Sequence, residues 1–366
     1  MRIVFCTQNM APFRMKWMDE IAKNHNVMIY QLDEYEKGVN SKYISYYPNK
    51  ATVKNATKLL LKRKKVFNTK EIINENADVY ILDGYGFLGQ QLLILKLKRK
   101  NIPFILSIDG GFIREKECFL KKFIKRFFIS KATAYFSTSE ETDKYINYYG
   151  GNGKVKYRHL FSNVSDEYLC EKPISIIEKE KIKKELKMKD AFSVISVGKF
   201  EYRKGFDLLL KAAENINENI HIYLIGADNK EEYEKYISEL NRKKVHFVEF
   251  CNQDKLKKYY LACDLFLLPT REDIWGLVIS EAMANGIPVV TTNRCLAGVA
   301  MLEKRDIISV DNVNDIERII NKYYSMSGEE RLKIGEENIK KVLPYTIQNS
   351  VKKDLNSLNR FINERK

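Results

Sequence analysis

The 366-residue chain contains no run of about 18 apolar residues, so it lacks a segment able to cross a bilayer as a helix. It is equally poor in metal-binding signals. Its six cysteines (Cys6, Cys118, Cys170, Cys251, Cys263, Cys295) include no C-x-x-C pair, which argues against zinc and fits a reducing cytoplasm better than a disulfide framework. The four histidines (His25, His159, His221, His246) have no ligand spacing either and read as ordinary strand-end or loop residues. His159, just before a linker, is the one placed to reach a ligand cleft. No G-x-x-x-x-G-K-[ST] run exists and no G-x-G-x-x-G follows a strand, which excludes a P-loop and counts against a nicotinamide enzyme. The opening MRIVFCTQNMAPFRMK reads as a first strand rather than a signal peptide. No internal repeat is visible.

What the chain does have is soluble globular composition, 45% hydrophobic and 30% charged, with a net charge of +15. That charge attracts nucleic acid, anionic lipid or phosphorylated small molecules, and the bulk number does not choose among them. Much of it lies in 58–65, 96–101 and 119–131, each readable as the solvated face of a helix. Short β-branched and aromatic runs at 2–6, 26–30, 78–82, 103–108 and 133–137 alternate with segments of helical spacing, which predicts a parallel sheet covered on both faces. The charged stretch CEKPISIIEKEKIKKELKMKD (170–190) marks a linker and a surface helix. Alternation then restarts with strands at 193–198, 220–226, 244–250, 264–269 and 287–292, and helices between them, KEEYEKYISELNR (230–242) among these. The expected architecture is α/β, with two doubly wound Rossmann-like domains facing a central cleft. Residues 1–165 form the first domain, 166–344 the second, and 345–366 a terminal helix returning to the first.

Two segments of the second domain carry chemistry. In SVGKFEYRKGFDLLL (196–210), a strand ends at Gly198, the loop bears Lys199, Arg203 and Lys204, and Gly205 opens a helix. Backbone N–H groups and cations aimed at one spot make an anion site, most naturally for a diphosphate; the alternative is a basic surface loop. In PTREDIWGLVISEAMANGIPVVTT (269–292), Asp273 precedes a helix and Glu281 lies two turns within it. Carboxylates there accept hydrogen bonds from sugar and ribose hydroxyls, while Gly276 permits close backbone approach. The alternative makes Asp273 a helix cap and Glu281 a surface residue.

The stretch from Ser196 to Thr292 resembles the donor half of retaining glycosyltransferase family 4, the group 1 glycosyltransferases of GT-B fold. That family carries G-[RK]-x-x-x-x-K-G, matched by Gly198, Lys199, Lys204 and Gly205, and an acid, seven residues and a second acid before A-x-A-x-G-x-P-V. Here the acids are Asp273, where the family has glutamate, and Glu281, with Ala282, Ala284, Gly286 and Pro288 in register. The resemblance implies that Lys199 and Lys204 bind the donor diphosphate, with Arg203 beside them. It implies that Asp273 and the backbone at Trp275, Gly276 and Leu277 hold the transferred sugar and β-phosphate. Glu281 would bond the ribose, and Phe250 and Cys251 would lie along the base. In the first domain, the resemblance puts Asp109 by register where many members have a histidine facing the reacting sugar; the alternative is that it caps the turn at Gly110 and Gly111.

The function expected is therefore transfer of a hexosyl group from a nucleotide-diphosphate sugar, uridine rather than guanosine, to a glycan or lipid-linked acceptor in bacterial envelope or capsular polysaccharide synthesis. No cofactor or metal is expected, and no Asp-x-Asp pair is placed to hold one. A nucleotide-sugar epimerase of the same fold is the alternative enzyme; a non-catalytic basic membrane- or nucleic-acid-binding protein is the alternative class. Nucleic acid is not expected, because the aromatics among the basic residues follow a helical stripe. Phe119, Leu120, Phe123, Ile124, Phe127 and Phe128 fall on one face, beside Lys121, Lys122, Lys125 and Arg126. Such a helix suits an anionic membrane surface, so the expected location is the cytoplasm, peripheral on the inner face of the cell membrane.

Overall fold

The computed structural model describes all residues except 9–10, 33–47, 56–65, 115, 227–229 and 366; the basic run 58–65 lies outside the described residues. The chain forms two compact units, Met1–Asn163 with Tyr345–Lys366, and Val164–Pro344. The first unit holds β1 (Arg2–Thr7), β2 (Asn26–Gln31), β3 (Thr52–Asn55), β4 (Val79–Leu82), β5 (Phe104–Ile108), β6 (Ala134–Ser137) and β7 (Lys156–Arg158). They pair in the order β3-β2-β1-β4-β5-β6-β7, all parallel. The second unit holds β8 (Phe192–Val197), β9 (Ile220–Ile225), β10 (Val245–Val248), β11 (Leu265–Leu268), β12 (Val289–Thr292) and β13 (Ile307–Ile308), in the order β10-β9-β8-β11-β12-β13. These are parallel too. Strand order reverses between β1 and β4 and again between β8 and β11. Ligands of such sheets bind at the carboxyl ends of the strands beside that reversal.

The strands read as nearly unbroken apolar runs because both faces of each sheet are covered. In β1 the alternation of side chains is plain: Val4 and Cys6 enter one buried cluster with Tyr30, Leu82 and Leu93. Ile3 and Phe5 enter the opposite one with Met15, Trp17 and Phe136. The second cluster is closed by the terminal helix Ile347–Asn363, which contributes Val351, Leu358 and Phe361. Asp354 of that helix is fully buried and accepts hydrogen bonds from Trp17 Nε1 at 2.8 Å and His159 Nδ1 at 2.8 Å. His159 is thus a buried structural partner of the terminal helix, its ring stacked on Phe161.

Three sequence expectations shift. The helix read over 230–242 is confined to Glu231–Glu234, with a separate turn at Arg242–Lys244. Ser238 is drawn away by two bonds to the Glu214 carboxylate, 2.6 Å from its N–H and 2.8 Å from its hydroxyl; such local bonds compete with helix. The strand read to 250 stops at Val248, leaving Phe250 exposed. Helix Phe119–Ile129 turns Phe128 inward, while Phe119, Leu120 and Phe123 remain exposed.

Asp354→Ala strands the Trp17 and His159 donors in the core and loosens the terminal helix. An expected loss of about 2–4 kcal/mol in first-unit stability is checked by urea unfolding followed through Trp17 emission in a Trp275→Phe background.

Candidate functional site

The second unit gathers its polar residues where strand order reverses. Beyond β8, Gly205 adopts φ +72°, and a Cβ there would sit 2.0 Å from the Pro269 carbonyl oxygen; only glycine lets the two loops approach this closely. The Arg203 carbonyl then accepts from Arg271 N–H and from the Thr270 hydroxyl, each at 2.7 Å. Arg271 adds a two-pronged grip on Asp207, 2.7 Å at both nitrogens, and stacks over Tyr202 at 3.9 Å. The bidentate geometry fixes the loop orientation more firmly than a lysine could.

Within this frame Lys204 Nζ meets Asp273 Oδ2 at 2.5 Å, and both residues are buried, at 8% and 9% exposure. Lys204 is therefore not the solvent-facing loop cation its sequence context suggests, and Asp273 is not a helix cap. A second loop supports Asp273: its N–H donates to the Arg294 carbonyl at 2.8 Å. Burial pushes the Cys295 thiol up to about 12, so it stays protonated and donates to the Trp275 carbonyl at 3.2 Å. Gly276, at φ +95°, has no room for a side chain, since a Cβ would lie 2.5 Å from Cys295 Sγ. Helix Leu277–Ala284 begins immediately after it, and its first-turn N–H groups form a ready anion-binding end.

Glu281 lies about 7 Å further along that helix axis and accepts from Tyr260 OH at 2.8 Å. Burial and the Glu281 charge hold the Tyr260 phenol well above its usual range, so it remains a donor. Burial pushes the Cys251 thiol up, with Lys255 pulling against it and Glu281 adding to it. Gly198 packs beside Lys204, a Cβ there lying 3.5 Å from Lys204 Cε. The structure thus joins Gly198, Lys204, Asp273 and Gly276, and separately Tyr260 and Glu281. It does not bring in the Arg203 side chain, which turns outward to Glu201 at 2.7 Å. Lys199 is half-buried in the same loop. Among the described residues no group of three or more His, Cys, Asp or Glu could hold a metal ion.

Asp109 follows β5 in the first unit and gives its carboxylate to Arg14 Nη2, rather than to the Gly110–Gly111 turn. Arg14 also binds Asp83 through Nη1. Burial pushes the Asp83 carboxyl up to about 6, against the pull of Arg14 and the Thr7 hydroxyl. Sequence reasoning missed Arg14, Asp83, Arg271, Tyr260 and the Arg294–Ala297 loop. Asp83 was the legible one, as an acid directly after the strand run DVYIL; the others find their partners far along the chain.

Residues 177–341 match the family model described as Glycosyl transferases group 1. The chain is 33% identical over 122 residues to an uncharacterized glycosyltransferase of Methanocaldococcus jannaschii, covering 32% of this chain and 31% of that protein. It is 31% identical over 107 residues to the lipopolysaccharide glucosyltransferase WaaG of Escherichia coli, covering 28% of each. These matches span less than a third of either relative's length. Two solved structures align almost throughout. HepE of Anabaena in complex with UDP gives a TM-score of 0.79 at 15% identity, covering 98% of this chain and 100% of that one. Sucrose-phosphate synthase of Thermosynechococcus elongatus gives 0.74 at 13%, covering 100% of both. The fold is GT-B: two parallel-sheet α/β units.

Lys204→Ala leaves the Asp273 carboxylate buried without its cation and is expected to lower second-unit stability by about 3–5 kcal/mol. The double variant Lys204→Met with Asp273→Asn should recover most of that loss. Urea unfolding followed through Trp275 in a Trp17→Phe background measures both.

Proposed function

We propose that this chain is a retaining glycosyltransferase that moves a hexosyl group from a UDP-sugar to a glycan or lipid-linked acceptor in surface polysaccharide synthesis. The observation that carries the reading is the buried Lys204–Asp273 pair beside the left-handed Gly276 and a helix N-terminus, at the reversal point of a parallel sheet. Relatives in lipopolysaccharide and O-antigen synthesis support the setting. Solved neighbours carrying UDP or UDP-glucose support the donor class.

On this reading Lys199, Lys204 and the amides at Gly276 and Leu277 neutralise the diphosphate as the anomeric carbon–oxygen bond breaks. Asp273 accepts hydroxyl bonds from the transferred sugar. Its pairing with Lys204 fixes that lysine's position before the donor arrives, so little reorganisation accompanies the reaction. Glu281, oriented by Tyr260, accepts from the ribose hydroxyls, and Phe250 and Cys251 flank the base. The acceptor oxygen bonds the anomeric carbon on the face the diphosphate leaves, and its proton passes to a departing phosphate oxygen. No metal is invoked in these steps. The half that takes the acceptor is the first unit, through Asp109.

Helix Phe119–Ile129 supplies a membrane contact in this proposal. Phe119, at 83% exposure, with Leu120 and Phe123, forms an apolar strip. The same helix exposes Lys121 and Arg126, and an apolar strip on a helix that also carries exposed cations suits anionic lipid. Lys125 belongs to the fold, since it pairs with the half-buried Glu117 at 2.5 Å, so a test must spare it.

Glu281→Gln is expected to weaken UDP binding about tenfold by calorimetry, with GDP binding the wild type more weakly than UDP; equal affinity of both proteins for every nucleoside diphosphate would remove the donor assignment. Transfer activity should survive a chelator, and a strict magnesium or manganese requirement would contradict the metal-free mechanism. The chain should sediment with phosphatidylglycerol vesicles at low salt and be released as salt screens the contact. Phe119→Ser with Phe123→Ser should abolish that sedimentation while leaving UDP affinity unchanged.

A further inference from the structure

Three neighbouring parallel strands of the first unit end on polar side chains. Thr7 closes β1, Asp83 follows β4 and Asp109 follows β5. Arg14, in the first turn of helix Pro12–Ala22, stands between the two carboxylates, with Nη1 on Asp83 Oδ2 and Nη2 on Asp109 Oδ2. The carboxylates are held differently. Asp83 is 4% exposed; its Oδ2 also accepts from the Thr7 hydroxyl, and its Oδ1 accepts from Gln90 Nε2 at 2.7 Å. Both carboxylate oxygens of Asp83 thus hold a donor.

Asp109 is 25% exposed. Arg14 fixes its Oδ2, its main-chain carbonyl is tied to the Thr138 hydroxyl at 2.9 Å, and among the described residues no donor reaches its Oδ1. One oxygen is anchored and the other is presented. Asp109 and Arg14 also border a small cavity, of about water size, walled by Phe13, Phe161, Ser107, His159 and Ser162 among others.

We propose that Asp109 Oδ1 receives a hydroxyl of an uncharged sugar acceptor, that Arg14 is the positioning residue that aims it, and that this strand edge discriminates against phosphorylated sugars. The inference deepens the glycosyltransferase reading and rests on it. An ionised carboxylate only accepts hydrogen bonds, so its ligand must donate one. A phosphate needs donors instead, and both terminal nitrogens of the only guanidinium in the cluster are already taken. The three charged side chains sum to one net negative charge, which repels a phosphate dianion at short range.

The test uses the full chain saturated with UDP and measures binding of methyl hexopyranosides (gluco, galacto, manno and N-acetylglucosamine) and of the corresponding hexose 6-phosphates, by saturation-transfer NMR. At least one glycoside is expected to bind at least tenfold more tightly than its 6-phosphate. Arg14→Gln and Asp109→Asn should each weaken that glycoside tenfold or more. Asp109→Asn should in addition strengthen the 6-phosphate at least tenfold, because it releases one end of Arg14 and removes the net negative charge; a purely structural Asp109 would not shift this ratio. If Arg14→Gln fails to fold, Arg14→Lys is read in its place, since one ammonium cannot hold both carboxylates and glycoside affinity should still fall. A 6-phosphate that binds the wild type as well as its glycoside, an unchanged ratio in Asp109→Asn, or no glycoside binding at all would overturn the inference. UDP affinity is followed in parallel and should stay within about twofold throughout. Loss of UDP binding by the wild type itself would count against the donor assignment and leave the sugar ratio to judge this proposal separately.

Discussion

The buried contact between Lys204 and Asp273 organises the second unit, because neither charge is tolerable there without the other. Removing both from water carries a penalty that their attraction offsets only in good geometry, and the surrounding loops supply that geometry. Gly205 brings the lysine loop against Pro269, the Arg203 carbonyl ties it to the Thr270–Arg271 backbone, and Arg271 clamps Asp207. The Arg294–Ala297 loop fixes the acid from the other side. The result is a cation and a carboxylate held ready beside the first turn of a helix. Proteins that stabilise developing phosphate charge gain most from groups that need not move when the charge appears.

The first unit repeats the arrangement with different residues. Each sheet reverses order beside its first strand, and each reversal holds a cation paired to a carboxylate: Lys204 with Asp273 in one, Arg14 with Asp83 in the other. Lysine carries a compact charge with three donors, of which the single bond to Asp273 occupies one. The planar guanidinium bridges two acids and is saturated by them. On the proposed reading, the same topology serves an anion in one unit and hydroxyl groups in the other.

Much of this was legible in the amino-acid order. Apolar runs alternating with helical segments pointed to both parallel sheets, because short continuous apolar runs and 3.6-residue spacing are local properties. Gly198, Lys204, Gly205, Asp273, Gly276 and Glu281 were visible because their spacing is local as well. What escaped was long-range. Lys204 reads as a surface cation until Asp273, 69 positions away, is folded against it. Arg14 has no signal of its own, since its partners lie 69 and 95 residues distant. The basic face of 119–131 was read correctly as amphipathic, yet pattern alone could not show that Phe128 turns into the core and Lys125 onto Glu117.

Hydrogen exchange of the full chain with and without UDP tests the central claim most directly, since it locates the diphosphate without assuming the sugar. The account predicts slowed exchange at the amides of residues 198–206 and 275–281, where the lysine loop and the helix N-terminus would close on the phosphates. UDP binding that leaves both of these segments unprotected would contradict it.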